Sequence, residues 1–84
     1  GHAHKNLQQV LIALSGSLEV VLNDGTNSKT ITLNKPNLGL LIVPGIWREL
    51  QNFSSGCVCL TIASAPFNEA DYIRNYSDFL TYKK

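Results

Sequence analysis

The feature that most constrains this chain is the rhythm of its turns. From Gln9 to Ala63, short apolar segments are interrupted by turn-forming residues about every ten positions. That spacing predicts an antiparallel all-β sandwich or barrel. Gln9 to Leu14 reads as a buried strand ending at Ser15-Gly16, and Leu18 to Leu22 as the next. Asp24-Gly25 is a strong hairpin signal, and Thr30 to Leu33 returns in period two, with Ile31 and Leu33 on one face. Lys35-Pro36-Asn37 breaks the pattern, Leu40 to Val43 resumes it as a buried strand, and Pro44-Gly45 turns the chain again. Trp47 to Phe53 and Cys57 to Ala63 complete the set, separated by Ser54-Ser55-Gly56. Six or seven strands are expected.

After Pro66 the period changes. Tyr72, Ile73, Tyr76, Phe79 and Leu80 recur at helical spacing, Asn68 suits an N-cap, and Glu69 and Asp71 suit a first turn. A short C-terminal helix broken near Ser77 is predicted, its aromatic stripe packed on the barrel or on a neighbour.

The 84 residues suit a single domain, 1–84, with no linker or repeat. Only 15% are charged and the formal net charge is +1, too little field for nucleic acid or an anionic membrane surface. The longest apolar runs, Val10 to Leu14 and Leu40 to Pro44, fall far short of the ~20 residues that span a bilayer. Cys57 and Cys59 lie two apart on an extended segment, poorly placed to bridge, and read as reduced packing residues of a cytoplasmic protein. The chain opens on Gly1 without methionine or a secretion signal and is expected to lack its natural start.

His2 and His4 are the only histidines. Two apart on a strand, their imidazoles project to one side. The string His-x-His, Gln9, then Gly16 resembles the first cupin motif, in which the third group of metal-binding members is a glutamate. Here it is a carboxamide, which brings no negative charge to a divalent cation. The stretch from Gly39 to Asn52, where the second cupin motif would return a histidine, has none, leaving Glu49 as a substitute ligand in a metal-cupin alternative. An ion-free imidazole pair suits proton transfer instead, because it titrates near neutral pH. Judged by position alone, both would be mobile terminal side chains.

His2-Ala3-His4-Lys5, Gln9, Ser15-Gly16-Ser17, Asp24-Gly25, Gly39-Leu40, Ile46-Trp47, Asn52-Phe53-Ser54-Ser55, Ala63-Ser64 and Glu69-Ala70-Asp71-Tyr72-Ile73-Arg74 occur in this order. Together they resemble the WxcM-like sugar-nucleotide 3,4-ketoisomerases, a cupin group, from Gly1 to about Leu80. The resemblance implies a small cupin-type jelly-roll barrel, dimeric with exchanged strands. It also implies a dTDP-linked 4-keto-6-deoxyhexose as substrate, its 3-keto isomer as product, and no metal or redox cofactor.

In that setting the histidines are the catalytic pair, His4 as base and His2 as its partner, with Gln9 donating a hydrogen bond into the same cavity. Trp47 and Arg48 are candidates for the nucleotide, one a flat face for thymine or deoxyribose, the other a guanidinium for the pyrophosphate. Their structural alternatives are a barrel-plug aromatic and a solvated surface charge. The group also carries a tyrosine and an arginine on strands upstream of its His-Ala-His-Lys motif, which this chain does not contain, and a tyrosine where Phe67 stands. A sheet edge left open by missing strands should pair with a second copy. Rival readings are a truncated cupin that binds a nucleotide sugar or a partner without turnover, a metal-dependent cupin oxygenase, and a barrel used only for assembly.

Overall fold

The computed structural model describes residues 1–66 and 68–83, so the expectation attached to Phe67 lies outside the described residues. Two three-stranded antiparallel sheets face one another. One has the order β5-β2-β7, from β2 (Gln9–Ser15), β5 (Gly39–Ile42) and β7 (Val58–Ala63). The other has the order β4-β3-β6, from β3 (Leu18–Asn23), β4 (Ser28–Leu33) and β6 (Trp47–Gln51). A two-stranded ribbon, β1 (Ala3–His4) with β8 (Tyr72–Ile73), and a helix α1 (Tyr76–Lys83) complete the fold. None of the described helices is long and apolar enough to cross a membrane.

The turns fall where the sequence places them. Ser15-Gly16 works because Gly16 sits at φ 69°, and a Cβ there would lie 2.4 Å from Ser54 Oγ. In the β3–β4 hairpin, Asp24 Oδ1 accepts the N–H groups of Thr26 and Asn27 at 2.8 and 2.7 Å, closing the loop from its first residue.

Alternation along each strand fills the space between the sheets. Leu11 and Ala13 of β2 and Ile42 of β5 meet Leu18 and Val20 of β3 and Leu33 of β4, all buried. A second apolar cluster, Ala3, Trp47, Ile73 and Phe79, seats the ribbon and α1 against the outside of β6.

Two expectations need correction. The strands expected to be buried are covered on one face only in this chain: Leu14, Leu41, Val58, Leu60 and Ile62 lie exposed on the outer side of the first sheet. The single C-terminal helix is three pieces. Asn68 caps a 3-10 turn, Glu69–Asp71, accepting Ala70 N–H at 3.0 Å. Tyr72–Ile73 then pairs with β1, and α1 starts under a second cap, Asn75, whose Oδ1 accepts Ser77 N–H at 2.8 Å. The break falls before Tyr76, because pairing with β1 gives Tyr72 and Ile73 an extended backbone.

Candidate active site

In both the ribbon and β6, one face meets the Trp47–Phe79 cluster, and the opposite face carries His4 and Tyr72 on the ribbon and Arg48 on β6. In the β1–β8 register Ala3 lies opposite Ile73 and His4 opposite Tyr72. Ala3 and Ile73 go to the apolar cluster, so His4 and Tyr72 share the opposite face. On β6 the same alternation sends Trp47 outward and Arg48 between the sheets. His2 joins β1 to β6 through two backbone bonds with Arg48, N–H to O at 3.1 Å and O to N–H at 2.9 Å.

The result is a cluster of three rings beside a buried guanidinium. His2 and His4 lie edge to face with centroids 4.9 Å apart. Tyr72 stacks on His2 at 5.4 Å and meets His4 edge-on at 4.3 Å. His4 is fully buried, and neither its Nε2 nor His2 Nε2 has a hydrogen-bond partner among the described residues. His4 Nδ1 is in the same state, and unsatisfied polar atoms gathered in one buried cluster are uncommon enough to mark it as a candidate site.

Arg48 is 2% exposed. Its Nη1 donates to Gln9 Oε1 at 2.8 Å, bridging the two sheets, and Nη2 donates to the Ile46 carbonyl at 3.0 Å. The solvated-surface alternative for Arg48 is therefore corrected: β-alternation points this side chain inward. Gln9 meets Arg48 through its carboxamide oxygen, which leaves the Nε2 hydrogens as its donors.

Burial sets the titration of the group, and the guanidinium reinforces it. His2 is lowered to about 4, first by loss of solvent and then by Arg48. His4 is lowered by the same two causes, with Asp71 opposing them. Arg48, pushed down to about 10 by its own burial, remains a cation at neutral pH. Both imidazoles are thus neutral at pH 7 and able to accept a proton.

Of the residues picked out from the sequence, the structure brings together His2, His4, Gln9 and Arg48. It does not bring Trp47, which is 5% exposed, packs on Tyr76 and Phe79 at 5.2 and 5.7 Å, and donates its Nε1–H to Glu49 Oε1 at 3.1 Å. Its ring lies in the cluster outside β6, so it neither faces the histidines nor fills the space between the sheets as a barrel plug would. Glu49 shares that outward face, so it does not complete a ligand set with the histidines. Among the described residues no three His, Cys, Asp or Glu side chains are grouped to hold a metal ion. Where metal-binding cupins have a carboxylate, this chain has an amide holding a guanidinium, which repels a second cation.

Two site residues were not assigned from the sequence. In sequence Tyr72 reads as part of the helical stripe, although Tyr72 and Arg74 also fit period two. Asp71 reads as a first-turn acid, yet its Oδ2 lies 3.3 Å from His4 Nδ1.

A family model described as FdtA, WxcM-like, C-terminal, matches residues 1–84. The chain belongs to this WxcM-like family. The domain is 48% identical over 81 residues to a TDP-4-oxo-6-deoxy-α-D-glucose-3,4-oxoisomerase of Aneurinibacillus thermoaerophilus, covering 96% of this chain and 58% of the relative. It superimposes on a 3,4-ketoisomerase from Helicobacter canadensis with a TM-score of 0.94 at 55% identity, covering 98% of this chain and 62% of that one. A mutant of the 3,4-ketoisomerase QdtA from Thermoanaerobacterium thermosaccharolyticum, in complex with TDP-4-keto-6-deoxyglucose, gives 0.95 at 45% identity over 98% and 59%. The WxcM-like domain thus spans about three-fifths of the length of the relatives it matches. These neighbours share its mostly-β architecture with one short C-terminal helix.

Proposed function

We propose that this domain carries the proton-transfer centre of a sugar-nucleotide 3,4-ketoisomerase, acting on a dTDP-linked 4-keto-6-deoxyhexose. The observation that carries the reading is the adjacent pair of neutral imidazoles, His4 fully buried and His2 partly so, beside the Arg48 cation, in a chain whose relatives bear that activity in their names.

Moving a ketone from C4 to C3 exchanges oxidation levels between neighbouring carbons with no net redox change. A base takes the proton from C3, which the C4 carbonyl already acidifies, and the electron pair moves to O4 to give an enediolate. O4 gains a proton, the O3 hydroxyl loses one, and C4 is protonated as the C3 carbonyl forms. The steps ask for a neutral base, an acid and a fixed positive charge near the developing oxyanion. His4 supplies the base, His2 the partner that hands protons between the oxygens and C4, and Arg48 the charge. That puts Arg48 beside the sugar rather than the pyrophosphate, with Gln9 holding it in place. Two free cysteines, both half-buried, fit a reducing, cytoplasmic setting. A homodimer is the working unit in this reading.

The test is isotope exchange. In D2O with dTDP-4-keto-6-deoxyglucose, the chain should wash deuterium into C3 of the substrate and C4 of the product, and His4→Asn should slow this by about 100-fold or more with the fold intact. Binding of dTDP without exchange would select the non-catalytic nucleotide-sugar module instead.

A further inference from the structure

We propose that Asp71 is the positioning residue for His4, holding the Nδ1 edge of the ring so that the lone pair sits on Nε2, the edge that turns toward the substrate in the ketoisomerase reading. This deepens the ketoisomerase reading and rests on it.

The geometry begins in the 3-10 turn. Asp71 N–H donates to the Asn68 carbonyl at 3.0 Å, and the Asp71 carbonyl accepts Lys5 N–H at 3.0 Å, which ties the turn to the segment leaving β1. The carboxylate is then fixed at both oxygens: Oδ1 accepts Asn6 N–H at 2.7 Å and Oδ2 accepts Leu7 N–H at 3.2 Å. What remains of Oδ2 faces His4 Nδ1 at 3.3 Å, just outside aligned hydrogen-bond geometry. Contacts of this kind in unliganded sites commonly tighten when substrate binds.

An ionised carboxylate only accepts, so the nitrogen it faces must carry the hydrogen. Burial pushes the Asp71 carboxyl up, but the Asn6 and Leu7 N–H groups together with His4 bring it below the usual carboxylate range, so it is charged at neutral pH. The His4 ring is fully buried and flanked by His2 and Tyr72, so it cannot swing round to offer Nδ1 instead. A carboxylate behind an imidazole acts in the same way in hydrolytic triads, where amide replacement leaves the wrong tautomer and costs about 10⁴-fold in kcat.

The experiment pairs a spectroscopic readout that needs no turnover with kinetics. With 15N-labelled histidine at pH 7, His4 should show a pyrrole-type Nδ1 and a pyridine-type Nε2. In Asp71→Asn the amide can donate to Nδ1, so the two signals should exchange types. The exchange rate should fall about 100- to 10⁴-fold in kcat with KM little changed, and Asp71→Glu should restore the tautomer and part of the rate. A wild-type ring protonated at Nε2, or a D71N protein with tautomer and rate unchanged, overturns the assignment. If D71N does not fold, the wild-type and D71E spectra decide it. If the wild type proves inactive, the tautomer still tests Asp71, while the lost exchange counts against the ketoisomerase reading alone.

Discussion

A guanidinium at 2% exposure, with two of its nitrogens bonded and Nε without a partner among the described residues, costs free energy to bury. Its positive charge, added to burial, keeps the two imidazoles from taking protons. The charged groups around them are Arg48, Arg74, the amino terminus and Asp71, of which only Asp71 favours protonation. The sign for stability follows. The unfolded chain's histidines protonate as pH falls through 6.5, whereas native His2 does so only near 4. Between those values the unfolded state binds more protons, so stability drops as the solution is acidified across that window. Denaturant titrations at pH 7, 6, 5 and 4 should show midpoints falling steadily. The acid limb of kcat/KM should lie below pH 6.5; a limb at or above that value would mean the base titrates like a solvent-exposed histidine.

At the scale of elements, the geometry of the imidazole cluster depends on a two-residue ribbon that could not persist alone. The β1–β8 ribbon is held because Ala3 and Ile73 sit in the cluster with Trp47 and Phe79, and α1 supplies Phe79, which is fully buried. Phe79→Ala should therefore cost about 3–5 kcal/mol. It should also broaden the His2 and His4 resonances before the larger core melts; uniform loss of all signals at one denaturant concentration would refute this coupling. The same elements show where the sequence could be read and where it could not. Turn chemistry at Ser15-Gly16, Asp24-Gly25 and Pro44-Gly45, with period-two apolar residues between, gave the order of the main strands, and the His-x-His spacing gave the shared face of the rings. Local periodicity failed at Tyr72 and Ile73, whose conformation is set by pairing with residues about seventy positions away. It failed again at Trp47 and Arg48, where only the long-range register decides which neighbour enters the site. Asp71 was out of reach for the same reason, since its partners Asn6, Leu7 and His4 lie at the other end of the chain.

For the whole molecule, the uneven feature is the first sheet. Its inner face is core, yet Leu14, Leu41, Val58, Leu60 and Ile62 stand 40–55% exposed on the outer face. Five large apolar side chains exposed on one sheet face suit a contact with another protein surface. The near-continuous apolar runs of β2, β5 and β7 are also what a sheet covered on both faces requires. A second copy of the chain, meeting the first through this face about a two-fold axis, would cover both surfaces with one contact, since an isologous interface uses the same patch twice. Light scattering at micromolar concentration should then give twice the chain mass. Leu60→Lys combined with Ile62→Lys puts two ammonium groups into the patch without touching the inner face of β7, where Cys59 packs on the core. This variant should run as a monomer and keep the His2–His4–Tyr72 ring geometry by NMR. A wild-type monomer, or a double variant that stays dimeric, would show that the two copies do not meet through this sheet.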